Sequence, residues 1–250
     1  MTRRQVDRRI YSRIARRPFQ STIAKGNAQQ WPCPVKYPSK LTVEGEMDWE
    51  TLTFDGPLVG KLAQEAQLKW AKKVGTDRRL FNLSCHHNQS LSVFQLKGAL
   101  RQLAREEDFV PSMVVVDYAD NLMASNEKLS TRDQHALNWD VLRGIAMENN
   151  CAVITATQVN RPGYEVKILQ MKHISEEKRK IAHVTMLVGI NQQPQEKTKG
   201  LYRLNCIKNR NNDFSSYRCC YVLSCLPLAN PAVLSVFPFK GFDVKEGDEE

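Results

Sequence analysis

The chain has 250 residues, 42% of them hydrophobic, with a net charge of +9 and a pI near 9.2. That is enough apolar material for one large α/β domain, and the basic balance favours polyanionic partners such as nucleic acid. Seven cysteines without a C-x-x-C pair argue against a disulfide framework, and no run reaches the ~18 apolar residues of a membrane span.

In chain order, "MTRRQVDRRIYSRIARR" has Val6, Ile10 and Ile14 at helical spacing and no apolar h-region, so residues 2–16 are predicted to form a docked helix with a basic face rather than a secretory signal. Residues 18–50, with Pro18, Pro32, Pro34 and Pro38, read as irregular, followed by a short strand at 51–54. "LVGKLAQEAQLKWAKKV" reads as a helix with Leu62, Ala66 and Trp70 on one face, and "RRLFNLS" (78–84) as a strand. "CHH" at Cys85–His87 is a poor metal site, because neighbouring residues on a strand face opposite ways.

A capping serine then opens "SLSVFQLKGALRQLAREE", a helix with Phe94, Leu96, Leu100 and Leu103 inward. The buried strand "SMVVVDY", a helix over 131–149 and the buried strand "CAVITATQ" follow. A Pro/Gly-punctuated loop, "NRPGYEVKILQMKH", leads to a short helix at 175–181 and the strand "HVTMLVGIN". "LYRLNCIKN" and "SYRCCYVLS" form a candidate hairpin around "RNNDF", and 241–250 reads as an acidic tail behind a single domain over 1–240. Alternating strands and helices predict an α/β fold with a mostly parallel sheet and a late antiparallel hairpin.

In such sheets ligands bind outside the carboxyl ends of the strands. Asp117, Gln158 and Asn191 occupy three of these ends. Any buried strand must end in something polar, so one such residue means little, but the ordered set is more telling.

These motifs resemble the RecA-like core of DnaB-type replicative helicases. "VVVDYADNL" is similar to that family's Walker B element, "TATQVNR" to the motif ending in Ser-Gln-Leu-Asn-Arg, and "CIKNRNNDF" to the Lys-x-Arg-Asn-Gly hairpin. "ISEEKRKIAHVTMLVGIN" resembles the acidic stretch before the next strand, with Ala182-His183 in place of Ala-Asp, and Asn212 stands where the family has Gly. The resemblance implies that Asp117 holds Mg²⁺ through water, that Gln158 senses the γ-phosphate of ATP or another NTP, and that Lys208 and Arg210 reach the nucleotide of a neighbouring subunit. These residue types suit phosphoryl transfer, which is catalysed by positioning and charge neutralisation. Taken alone, Lys208 and Arg210 read first as a solvated hairpin tip, common for any basic pair; the three preceding motifs in order favour the functional reading.

The resemblance further implies a hexameric ring around single-stranded DNA, a primase or helicase loader as partners, and a cytoplasmic setting in a bacterium or phage-infected host. Arg161, Lys167 and Lys172, and secondarily Lys128, are the expected DNA contacts, through phosphates and without sequence readout.

A phosphate loop, G-x-x-x-x-G-K-[ST], is expected ahead of Asp117. "TLTFDGPLVGKLAQEA" fails the pattern: Gly56 and Gly60 are separated by three residues instead of four, and Leu62 stands where a hydroxyl must bind the metal. The opening helix resembles the one that follows the family's catalytic Glu. The expectation is therefore an N-terminally truncated domain, inactive alone, in which the sensor strand and "HVTMLVGIN" either close on each other directly or need an upstream partner strand. Two other readings stand beside it: a non-catalytic nucleic-acid-binding or ring-regulating module, and a RecA-type recombinase relative.

Overall fold

The computed structural model describes residues 3–18, 33–41, 47–75, 81–125, 128–174, 178–216, 218–223, 229 and 231–235. Its helices are α1 (Arg3–Ala15), α2 (Gly60–Val74), α3 (Val93–Glu106), α4 (Thr131–Glu148), α5 (Lys178–His183) and α6 (Pro194–Thr198). Its strands are β1 (Cys33–Leu41), β2 (Met47–Phe54), β3 (Met113–Val116), β4 (Ala152–Thr155), β5 (Met186–Asn191), β6 (Leu201–Asn209), β7 (Cys219–Leu223) and β8 (Ala232–Ser235). The predicted acidic tail lies outside the described residues. No helix among the described residues is long and apolar enough to cross a membrane.

The chain divides into two compact units, one from Met1–Leu80, Val188–Cys206 and Ser215–Glu250, the other from Phe81–Leu187 and Ile207–Phe214. In the first, β1 and β2 form an antiparallel hairpin in which Pro34 faces Thr53 and Pro38 faces Trp49. This ladder runs through a stretch expected to be irregular. A proline costs no ladder bond where its missing N–H would point away from the partner strand, and a two-stranded hairpin has only such outer edges to spare. Val6, Ile10 and Ile14 are half-buried on α1, which packs against α2.

The four-stranded sheet runs β5-β6-β7-β8, with β6 antiparallel to β7 and β7 to β8. The predicted hairpin around "RNNDF" is therefore present, and β8 extends it. Along β6 every second residue is buried: Leu201, Arg203, Asn205 and Ile207. Two of these are polar, and both find partners. Arg203 donates to the Glu196 carboxylate at 2.6 and 3.3 Å. Asn205 accepts from Asn191 at 2.9 Å.

In the second unit β3 and β4 lie side by side and parallel, in register from Met113–Ala152 to Val116–Thr155. Val114 joins Val93 and Leu100 of α3 and Trp139, Leu142 and Ile145 of α4 in one core. The α3 N-terminus is fixed by a reciprocal capping box: Gln95 N donates to Ser92 Oγ at 3.2 Å and Ser92 N to Gln95 Oε1 at 2.8 Å. Such a box satisfies two orphan amides at a helix start. Val93 takes the core position expected of Phe94, which is 51% exposed; the apolar stripe begins one residue earlier than periodicity suggested. Residues 81–84 form no strand, and α5 ends two residues beyond the expected helix.

β4 pairs with β3, whereas β5 belongs to the other sheet. Direct closure of "CAVITATQ" on "HVTMLVGIN" does not occur among the described residues.

Candidate nucleotide site and nucleic-acid loop

Two adjacent parallel strands deliver two loops to the same carboxyl edge. Asp117 is the first residue after β3 and is exposed. Gln158 follows β4 by three residues, and its Nε2 lies 3.2 Å from the Tyr118 hydroxyl oxygen. The loops are also joined at their base: Thr155 Oγ1 donates to Val116 O at 3.0 Å and accepts from Ala119 N at 2.8 Å. The Asp117–Tyr118 peptide bond is cis.

"DYAD" contains two acids, and the structure separates their roles. Asp120 accepts from Lys180 Nζ at 2.8 Å, Thr157 Oγ1 at 3.0 Å and Trp139 Nε1 at 3.3 Å. Burial raises its carboxyl pKa, but the Lys180 hydrogen bond and charge, with Trp139 and Thr157, outweigh that and hold it below the ordinary aspartate value. Asp120 is therefore fully used inside the protein. Asp117 presents a carboxylate to solvent at a strand end. One such carboxylate fits Mg²⁺, which keeps several waters and takes substrate phosphate oxygens for the rest of its shell.

Lys180 lies on α5, and the same helix meets the hairpin. Lys208 Nζ donates to Ile181 O, and Arg210 donates from its side chain to Ala182 O at 2.6 Å and from its backbone to Thr185 O at 2.9 Å. Carbonyls at a helix C-terminus lack helical partners and attract cations. Burial, followed by the charges of Arg210 and Arg143, pushes the Lys208 pKa down.

Arg161, Lys167 and Lys172 share one loop, 160–173, and are exposed. Lys128 sits on a separate loop, ahead of Ser130, the N-cap of α4. Asn191 is buried, and its amide donates to Asn205 Oδ1 and to Arg203 O at 3.3 Å within the sheet. Gly60 opens α2 behind β2, a strand paired antiparallel to β1, which is not the parallel setting of a phosphate loop.

Solved structures that share this fold include the following two. A DnaB-like replicative helicase, studied with its interactions with primase, matches with a TM-score of 0.63 at 12% identity over 94% of this chain and 49% of that one. A second structure, of an ATPase domain, matches with a TM-score of 0.62 at 12% identity over 94% of this chain and 72% of that one. The chain has the fold of a DnaB-type, RecA-like helicase ATPase domain. It spans about half the length of the first of these proteins. No protein-family model matches the sequence, and no curated protein does.

Sequence reasoning singled out Asp117 and Gln158, which lie on the two loops after β3 and β4, but not the buried cluster of Asp120, Thr157 and Lys180. The one available signal was the second acid of "DYAD", three residues after the first.

Proposed function

We propose that the chain is part of the NTP-driven motor of a DnaB-like replicative DNA helicase, unwinding 5′→3′ as a hexameric ring. The observation that carries this reading is the parallel β3–β4 pair, with Asp117 and Gln158 on loops tied at one edge. Asp117 holds Mg²⁺ through water. Gln158 reads the γ-phosphate and passes its state, through the adjoining Val159–Asn160 neck, to loop 160–173, which tracks single-stranded DNA with Arg161, Lys167 and Lys172; Lys128 is a secondary contact. Lys208 and Arg210, held at the end of α5, serve the nucleotide of the next subunit. Arg210 neutralises charge developing on the transferred phosphoryl group, as a planar guanidinium does well. A primase or loader is the expected partner class.

No phosphate-cradling loop occurs among the described residues, which favours a second reading: a helicase-derived module that binds nucleic acid without hydrolysis. The two separate on one experiment. ATP turnover by this chain is expected to be negligible and unaffected by Asp117→Asn. If the coding sequence ahead of residue 1 supplies G-x-x-x-x-G-K-[ST], the extended protein should hydrolyse ATP and lose roughly a thousandfold on Arg210→Ala, the low end for an arginine finger. Stop codons there favour the non-catalytic module. Turnover by the present chain that disappears with Asp117→Asn overturns the expected inactivity.

A further inference from the structure

We propose that loop 160–173 grips single-stranded nucleic acid by its bases as well as its backbone, with Tyr164 as the stacking platform. This rests on reading the loop as a nucleic-acid contact and adds to it the face of the base.

The loop is built and buttressed. Its neck is the antiparallel bridge between Val159 and Ile174, with Asn160 N donating to His173 O at 3.0 Å. The Asn160 side chain crosses the neck, with Nδ2 donating to Lys172 O at 3.1 Å, and caps the first turn, with Oδ1 accepting from Gly163 N at 3.1 Å. Inside the neck are two 3-10 turns, Arg161–Tyr164 and Met171–His173, in contact with each other. A Cβ at Gly163 would lie 2.9 Å from Val159 Cβ, so the first turn sits as close to the neck as a backbone can. Leu169 and Ile174 anchor the loop in a core with Ile181 and Ile207.

On this frame the arginine, the lysines and the tyrosine are left outside. Arg161, Tyr164 and Lys167, three apart, are exposed, while Gly163 and Leu169 are buried and Val166 is half-buried. A 3-10 turn repeats every three residues, so Arg161 and Tyr164, at the two ends of the first turn, share a face, and Lys167 follows just beyond it. Tyr164 is 70% exposed and Met171 41% exposed. A large aromatic side chain left in water on a rigid turn, flanked by Arg161, Lys167 and Lys172 against the one acid Glu165, matches what unpaired nucleotides need. Cations follow the phosphates, and a ring accepts any base because every base has a π-face. In a duplex those faces are stacked away, so the preferred ligand is single-stranded.

The test compares a labelled oligo-dT of about 20 nucleotides with an abasic oligomer of the same length and charge, by fluorescence anisotropy against this chain over a salt series. The oligo-dT should bind roughly tenfold more tightly, a margin that one stacked base can supply. Tyr164→Ala should erase that margin while leaving the abasic affinity and the salt slope unchanged, and Tyr164→Phe should restore it. Lys167→Ala should weaken both oligomers equally and flatten the slope. If Tyr164→Ala keeps the margin while Lys167→Ala acts as stated, stacking falls and the backbone contact stands. If the combined Arg161, Lys167 and Lys172→Ala variant binds as the parent does, or the chain binds neither oligomer, both are overturned. Equal affinity for duplex and single strand also overturns stacking.

Discussion

The strands β3 and β6 invert what their residues suggest. β3 is "MVVV", yet Val115 is 67% exposed and Met113 53%. β6 contains Arg203 and Asn205, yet both are buried. The difference lies in company. β6 runs inside a four-stranded sheet with partners for every buried polar group, whereas β3 belongs to a two-stranded sheet covered by α3 and α4 on one side. A continuous β-branched run is the pattern of a parallel strand covered on both faces, and among the described residues only one face is covered. Burial therefore follows a strand's place in the sheet, and a charge is tolerated inside if its counter-charge is there too.

The largest expected effect comes from breaking the polar interior of the four-stranded sheet. Glu196→Gln leaves Arg203 without its carboxylate and should cost about 3–5 kcal/mol in urea unfolding. A loss under about 1 kcal/mol would mean that Arg203 reaches water and that the contrast with β3 is false.

Next is the equivalent pair in the second unit. Asp120→Asn strands Lys180 and should cost about 2–3 kcal/mol, less than Glu196→Gln because Asp120 keeps some access to water. It should also shift the emission of Trp139, whose indole N–H loses a charged acceptor. The pH dependence has a definite sign. The folded Asp120 pKa is below its unfolded 3.8, so its contribution is complete above that value and is lost as pH falls through the depressed folded pKa. Urea midpoints taken from about pH 5 downward should fall more steeply for the parent than for Asp120→Asn. Parallel curves would assign the stability to other carboxylates.

The smallest effect is the sharpest test of the contrast, because it uses one residue type on one strand. Val114→Ala should cost about 2 kcal/mol, for lost burial and the cavity it leaves. Its neighbour Val115→Ala should change stability by less than about 0.5 kcal/mol. Equal losses would mean that both faces of β3 are covered.

Local signals made much of this legible. A capping serine announced α3, the apolar runs announced β3, β4 and β5, and "RNNDF" marked the turn between β6 and β7. What escaped depended on distant residues. The β1 ladder was hidden by prolines that a two-stranded hairpin tolerates. Phe94 and Val93 are adjacent, and only the packing of α3 on α4 chooses between them. Asp120 drew no notice because its partner Lys180 lies 60 residues away in sequence. Tyr164 was passed over for the lysines around it, since nothing local distinguishes an aromatic held out on a rigid turn from one folded inward.

The bare side of the two-stranded sheet also bears on how the protein behaves in bulk. "MVVV" and "AVIT" are short, β-branched and uncharged, and among the described residues their sheet has two open edges and one uncovered apolar face. These are the conditions under which strands of separate molecules pair edge to edge. The net charge of +9 opposes that approach, and added salt screens it. Concentrated preparations should therefore scatter more light as salt rises.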